Sequence, residues 1–313
     1  MRKGLTYFIL FHLFVAEVVL ASPVGELCST DQLLGGLPAL PPLHELSRSD
    51  LDSLLGTLPE RVPDFSGRVR ALGLARLGAP YVLGPLGEGT PEDPDPVFRV
   101  DQVDCTVLVL TTVALAEARS VSEAERWMGP ANYRPSGGGY TPTYAQRLHF
   151  TEDRLVSSPL FADVTRTLAD STELRTVEIV LNRKADGAQL LPIDWERRMT
   201  LAYVPAEKLA AVLSRAPDLL GLAFVRESYR PRGLLVAHEG LLLDGRCLLH
   251  ASSEAGAAVL ADWSEYFFRP ADPNPAIAGR PRFDGAILYR VRDAAAESED
   301  VGGAVGAGCS PER

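Results

Sequence analysis

Cys105 follows Asp104 at the head of an uninterrupted apolar stretch, and two histidines, His238 and His250, stand twelve residues apart in short apolar runs. A thiol at a helix start is favoured as thiolate by the N-terminal amides, and a nearby imidazole can take up and return its proton. These residue types suit acyl transfer through a thioester. Sulfur attacks an acyl carbon, His238 protonates the departing nitrogen, and His250 holds the His238 ring and its tautomer. The same residues also have a purely structural reading, as a buried cysteine and two core histidines.

Counting along the chain tests whether the imidazoles can meet. Leu234 to Leu243 and Arg246 to Ala251 read as successive strands joined near Asp244-Gly245. A two-residue turn pairs Leu243 with Arg246, sets His238 opposite Ala251, and sends His250 to the other face. A three-residue loop of Leu243, Asp244 and Gly245 pairs His238 directly with His250, their β carbons roughly 5 Å apart. The chemical reading therefore requires an odd loop or a bulge. It also puts Cys247 on the face opposite His250, as core or disulfide material.

The elements that must carry these residues follow from pattern. Thr106 to Arg119 mixes β-branched residues with Ala, Leu and Glu, and its length without Gly or Pro predicts one largely buried helix. Ser47 to Leu55, Val69 to Leu77, Ser122 to Met128 and Pro205 to Leu213 read as further helices, with prolines keeping the first short and Gly129-Pro130 ending the third. Asn132 to Tyr144 reads as a loop. Leu174 to Leu181, Leu220 to Val225 and Ala286 to Val291 complete the predicted strands, giving helices first, then an antiparallel sheet, an α+β chain.

The 313 residues, 46% hydrophobic, suffice for one sizeable core or two small ones. A balance of 31 Lys and Arg against 41 Asp and Glu argues against a general nucleic-acid-binding surface. Met1-Arg2-Lys3 and the apolar run Leu5 to Leu20, with small Val19 and Ala21 before Ser22, read as a signal peptide over residues 1–21. The product is then periplasmic or secreted, with no integral membrane domain after cleavage. Export permits disulfides: Cys28 and Cys309 either staple the two ends or remain as thiols in loose tails. Too few histidines are present for a histidine-rich metal site, and no metal or cofactor is called for. Ser136-Gly137-Gly138-Gly139 lacks the lysine of a phosphate loop, no Gly-x-Ser-x-Gly elbow occurs, and Glu92-Asp93 lies in a proline-rich, solvated segment.

Around these positions the chain resembles the papain-like NlpC-type hydrolases of bacterial cell walls, and more closely the N-acetylmuramoyl-L-alanine amidase-like family among them. Gly78-Ala79-Pro80-Tyr81-Val82, Asp104-Cys105-Thr106, Tyr144-Ala145-Gln146-Arg147-Leu148-His149-Phe150, His238-Glu239-Gly240 and His250-Ala251-Ser252 carry the likeness, from about Phe65 to Tyr266. The resemblance implies a papain-like cysteine hydrolase fold and a thioester at Cys105. The implied substrate is the amide between N-acetylmuramic acid and L-alanine in muropeptides or peptidoglycan fragments. Tyr81, Asp104, Arg147 and His149 would line or organise the cleft. Their structural readings are core packing for Tyr81 and His149, an ion pair for Arg147 and a helix cap for Asp104.

Two positions depart from the resemblance. Leu110 stands where the family carries a glutamate five residues after its cysteine, and Glu239 replaces a valine, its side chain expected to face away from His238 toward solvent. The expected organisation is a signal peptide (1–21), a lead-in (22–64), a papain-like catalytic domain (65–292) and a flexible tail (293–313). A papain-like peptidase or acyltransferase using the same thioester is the alternative chemistry. A catalytically silent cell-wall-binding module, suggested by Leu110, is the alternative class.

Overall fold

Side-chain caps begin the helices of the N-terminal half in this computed structural model, which describes residues 28–86, 97–269 and 281–293. The expected signal peptide, Glu92-Asp93, Cys309 and nearly all of the expected tail lie outside the described residues. A short helix α1 (Thr30–Leu34) precedes α2 (Arg48–Arg61), capped by Ser47, and α3 (Phe65–Leu74), capped by Asp64, whose carboxylate accepts from the Gly67 amide. Next come α4 (Cys105–Glu117), capped by Asp104, and α5 (Val121–Asn132), capped by Ser120. Each cap satisfies an amide that the helix itself leaves unpaired, contributing about 1 kcal/mol.

Two helices outrun their expected ends. α2 continues through Pro59 to Arg61 because Leu51, Leu55 and Leu58 are buried, and α5 continues through Gly129-Pro130 because Met128 and Ala131 are buried. Burial of an aliphatic side chain is worth about 1.5–3 kcal/mol, comparable to the cost of an interior proline. Gly129 serves a second need: a β carbon there would lie 2.9 Å from Tyr140 Cβ, where the small hairpin of β1 (Pro135–Ser136) and β2 (Gly139–Tyr140) folds back. This hairpin sits in the expected loop.

The main sheet is antiparallel throughout. Its strands are β3 (Phe161–Asp163), β4 (Arg175–Leu181), β5 (Arg197–Pro205), β6 (Leu219–Val225), β7 (Val236–Leu243), β8 (Cys247–Ser252), β9 (Ala257–Asp262) and β10 (Gly285–Val291). They run in the order β4-β5-β10-β6-β7-β8-β9, with β3 also paired to β10. Between the strands lie α6 (Thr151–Ser157), α7 (Thr165–Leu168), α8 (Ala206–Leu213) and α9 (Trp263–Phe268). β3, β5 and β9 were not expected: β5 opens on Arg197-Arg198, and β9 is built largely of alanine, so neither shows the usual strand composition.

Alternation divides the core between the two faces of the sheet. Leu241, Leu243, Leu249 and Ala251 face the helical layer, where every residue of α4 from Val107 to Ala116 is buried. Leu220, Leu222, Phe224, Leu242 and Leu248 face Leu209 and Val212 of α8 and Trp263 and Phe267 of α9. The lead-in is joined to this body by a Cys28–Cys247 disulfide, so Cys28 takes neither of the two states weighed from sequence, a staple to Cys309 or a free thiol. Cys247 lies on the helix-facing side of β8, where Cys28 can reach it, as its parity with Leu249 requires. Among the described residues, no helix is long and apolar enough to cross a membrane.

Candidate active site

The thiol is delivered by a chain segment stitched along the sheet edge. Pro80 bridges to Ala257 of β9 and Tyr81 to Val103, with Val103 N–H donating to Pro80 O at 2.9 Å and Val82 N–H to Val103 O at 2.9 Å. Directly after Val103, Asp104 ends the extended chain and starts α4. Its Oδ1 accepts from the Val107 amide at 2.8 Å and its Oδ2 from the Gly84 amide at 3.1 Å, so it caps the helix and ties it to the preceding loop. Cys105 is the first residue of α4, partly buried and free of disulfides.

The electrostatics at the thiol differ from the expected activation. Burial, then the carboxylates of Asp104 and Glu239, push the thiol well above the usual cysteine range, outweighing the Glu239 backbone amide and the Thr106 hydroxyl. The Cys105 thiol is therefore neutral at rest rather than a preformed thiolate. Tyr81 lies within electrostatic range of Cys105 and Asp104, and burial together with these two groups raises its phenol.

His238 and His250 meet on one face of the sheet, His238 Nε2 lying 3.0 Å from His250 Nδ1. The loop between their strands supplies the odd residue that counting demanded. Leu243 pairs with Cys247, leaving Asp244, Gly245 and Arg246 between them, with φ of 52° at Asp244 and 66° at Gly245. The loop is one residue later than expected, so the direct pairing of His238 with His250 is not formed: Leu241 opposes Leu249, and the imidazoles meet diagonally. A second irregularity precedes His238, where Phe224 pairs with His238 but Val225 pairs with Val236, leaving Ala237 as a bulge. Bulges re-aim side chains in this way and recur beside active sites.

The pair sits in an aromatic enclosure. His238 stacks on Phe224 at 5.8 Å between ring centroids, and Tyr266 of α9 lies 5.4 Å from His238 and 4.2 Å from His250. Burial, then Arg282, lowers His250 to about 4; burial, His250 and Arg282 likewise lower His238. Both imidazoles are thus neutral at pH 7, and one ring must donate to the other. Tyr266 is also within electrostatic range of Cys105, making it a common neighbour of the thiol and both rings. Among the described residues no hydrogen bond joins the thiol to either imidazole.

Glu239 does not meet solvent as expected. It is 1% exposed and turned to the α4 side, where its Oε1 accepts from Thr106 Oγ1 at 2.7 Å and Thr151 Oγ1 at 3.2 Å. Its Oε2 accepts from buried Arg154 and from Tyr289 Oη at 3.2 Å. The neighbouring Glu152 takes the Leu235 and Val236 amides at 2.6 and 2.7 Å, holding the start of β7. Asp153 receives Arg134 and Arg197.

A family model described as N-acetylmuramoyl-L-alanine amidase-like, or AmiA-like, matches residues 71–268, a span that contains Cys105, both histidines and the Glu239–Arg154 pair. The chain belongs to the N-acetylmuramoyl-L-alanine amidase-like family. This membership supports a cell-wall amidase activity in general. A crystal structure from Legionella pneumophila shares the fold at 20% identity and a TM-score of 0.60, over 78% of this chain and 94% of that one. An N-acetylmuramoyl-L-alanine amidase from Bacteroides uniformis matches at 21% identity and a TM-score of 0.52, over 73% of this chain and 99% of the other. No curated protein matches.

Within this amidase-like chain the expected site residues fall into two groups. Tyr81 and Asp104 lie at the thiol, whereas Arg147 and His149 are anchored in their own segment. Arg147 donates to Tyr133 Oη at 3.3 Å and lies over the Tyr133 ring, and His149 Nε2 bonds Tyr144 O at 2.7 Å. Leu110 is wholly buried on α4, where it packs as core. Sequence reasoning missed Thr106, Glu152, Arg154, Gly240 and Tyr266. Thr151-Glu152-Asp153-Arg154 directly follows the Arg147-Leu148-His149-Phe150 segment, but such charged residues are read as surface unless their partners are known.

Proposed function

We propose that this chain is an exported, papain-like cysteine amidase that hydrolyses the N-acetylmuramoyl-L-alanine amide of muropeptides. Cys105 is the nucleophile, His238 the general base and acid, and His250 the orienting partner. The observation that carries this reading is the 3.0 Å His238 Nε2 to His250 Nδ1 contact, with Tyr266 packed on both rings and within electrostatic range of the partly buried thiol at the helix start. With His250 Nδ1 accepting, His238 carries its proton on Nε2 and leaves Nδ1 as the base.

A neutral thiol and a neutral imidazole define the order of events. Cys105 transfers its proton to His238 as sulfur attacks the muramoyl carbonyl carbon, so the imidazolium forms only with the tetrahedral intermediate. The positive end of α4 favours the negative charge that develops there. His238 then protonates the alanine nitrogen, the carbon–nitrogen bond breaks, and the stem peptide leaves. Water, deprotonated by His238, cleaves the muramoyl thioester and regenerates the thiol. Tyr81 and Asp104 border the thiol; Arg147 and His149 are assigned to substrate by family resemblance. The signal-like start and the Cys28–Cys247 disulfide both favour an oxidising compartment, periplasmic or extracellular.

Mass spectrometry of products from defined intact and anhydro-muropeptides tests the reading. Release of free stem peptide by the wild type and its loss in folded Cys105→Ala is the expected result. Cleavage within the stem peptide identifies a peptidase, transfer to an added amine identifies an acyltransferase, and saturable binding without product identifies a silent binding module.

A further inference from the structure

We propose that Glu239 is a positioning residue whose carboxylate, held by Arg154, clamps the first turn of the nucleophile helix to the strand of His238 through the Thr106 hydroxyl. The inference rests on the reading of Cys105 and His238 as nucleophile and base. Thr106 is the residue after Cys105 and Glu239 the residue after His238, so their 2.7 Å hydrogen bond joins the immediate neighbours of the two reacting groups. Apart from the Glu239 backbone amide at the thiol, helix and strand would otherwise be held here by apolar contact, which has no preferred direction.

The clamp is complete on its own terms. Four donors from three elements converge on the one carboxylate, which β7 supplies: Thr106 of α4, Thr151 and Arg154 of α6, and Tyr289 of β10. Arg154 is itself stacked 5.3 Å from the Phe161 ring centroid. An apolar pair of similar volume would hold the core as well or better, because burying two charges costs solvation. What the ion pair adds is direction. Its hydrogen bonds fix the rotation and height of the first turn of α4 relative to β7, and catalytic reach is sensitive to shifts of about 1 Å.

The arrangement has an electrical cost that separates positioning from activation. Among the described residues, the charged and titratable groups in range of the thiol include Asp104, Glu239, Arg154, Tyr81, Tyr266 and Tyr289. Glu239 opposes thiolate formation, whereas the Thr106 hydroxyl favours it. A residue kept for thiol activation would not be a carboxylate. Neutralising it should make the thiol more acidic while making the enzyme slower.

The test uses the full chain with Thr106→Val, Thr106→Ser and Glu239→Gln. Turnover of a defined muropeptide is read together with the pH profile of Cys105 alkylation by iodoacetamide, located by peptide mass mapping. Thr106→Val should lower kcat about tenfold with KM nearly unchanged, the loss of one hydrogen bond to a charged group, and Thr106→Ser should restore it. Glu239→Gln should lower kcat at least as much, yet move the alkylation midpoint down by about half a pH unit or more; Thr106→Val should move it up. Wild-type kcat in Thr106→Val, or an alkylation midpoint unmoved or shifted the other way in either variant, overturns the clamp. If Glu239→Gln does not fold, Thr106→Val decides. If the wild type cleaves no muropeptide, the amidase reading fails while the alkylation profiles still judge the clamp.

Discussion

Gly240 faces His250 across β7 and β8 so closely that a β carbon on it would lie 3.0 Å from His250 Cβ and 2.6 Å from Leu249 O. The diagonal His238–His250 contact passes over this position. A side chain there would occupy the space through which the two strands approach, so the missing Cβ is a condition of the imidazole pair.

Gly240→Ala should therefore separate β7 from β8 and lengthen the His238–His250 contact. Overpacking of this kind costs about 1–3 kcal/mol of stability, and loss of an oriented base should cost about tenfold or more in kcat. Thermal unfolding and muropeptide turnover measured on the same preparation check this. Wild-type values for both would show that the backbone yields without disturbing the pair.

The depressed His250 makes stability depend on pH in a defined window. Its folded value of about 4 lies below the ordinary 6.5, so between these values the unfolded chain binds a proton that the folded chain does not. Its contribution is full above 6.5 and is lost as pH falls toward 4, to a limit of about 3 kcal/mol. Denaturant unfolding at pH 7.5 and 4.5 should show a larger loss for the wild type than for His250→Gln. Equal losses would refute a buried neutral imidazole.

Cys105 and Cys247 should separate cleanly by variant. Cys247→Ala opens the disulfide to Cys28, 219 residues away in sequence, and should cost about 2–5 kcal/mol. Because Cys247 and His250 occupy opposite faces of β8, turnover of the folded Cys247→Ala protein should stay near wild type, whereas Cys105→Ala should abolish it with little change in melting temperature. Cys28→Ala should reproduce the melting shift of Cys247→Ala, and the double variant should add nothing further.

Leu110→Glu should not strengthen the site. Leu110 is wholly buried on α4, and an unpaired carboxylate there should cost several kcal/mol, on the order of 3 or more. Lower stability with no gain in kcat is the expected outcome of denaturant titration and a turnover assay. A stable and faster variant would show that this position does reach the reacting groups.

The amino-acid sequence alone singled out Cys105, His238 and His250 as candidates, placed the thiol at the head of a buried helix, and tied a meeting of the two imidazoles to an odd insertion between their strands. These conclusions depend on short-range rules, namely helix capping, uninterrupted helical length and the two-residue period of a strand. Tertiary structure decided the rest. It moved the hairpin loop to Asp244-Gly245-Arg246, changing a direct histidine pair into a diagonal one without changing its face. It also paired Cys28 with Cys247 and drew Glu239 into the core beside Arg154, 85 positions away. A charged residue is read as exposed until its partner is known, and a thiol at a helix start is read as acidic until the carboxylates around it are located. Both depend on groups distant in sequence, whose meeting is set by the packing of α4 and α6 against β7.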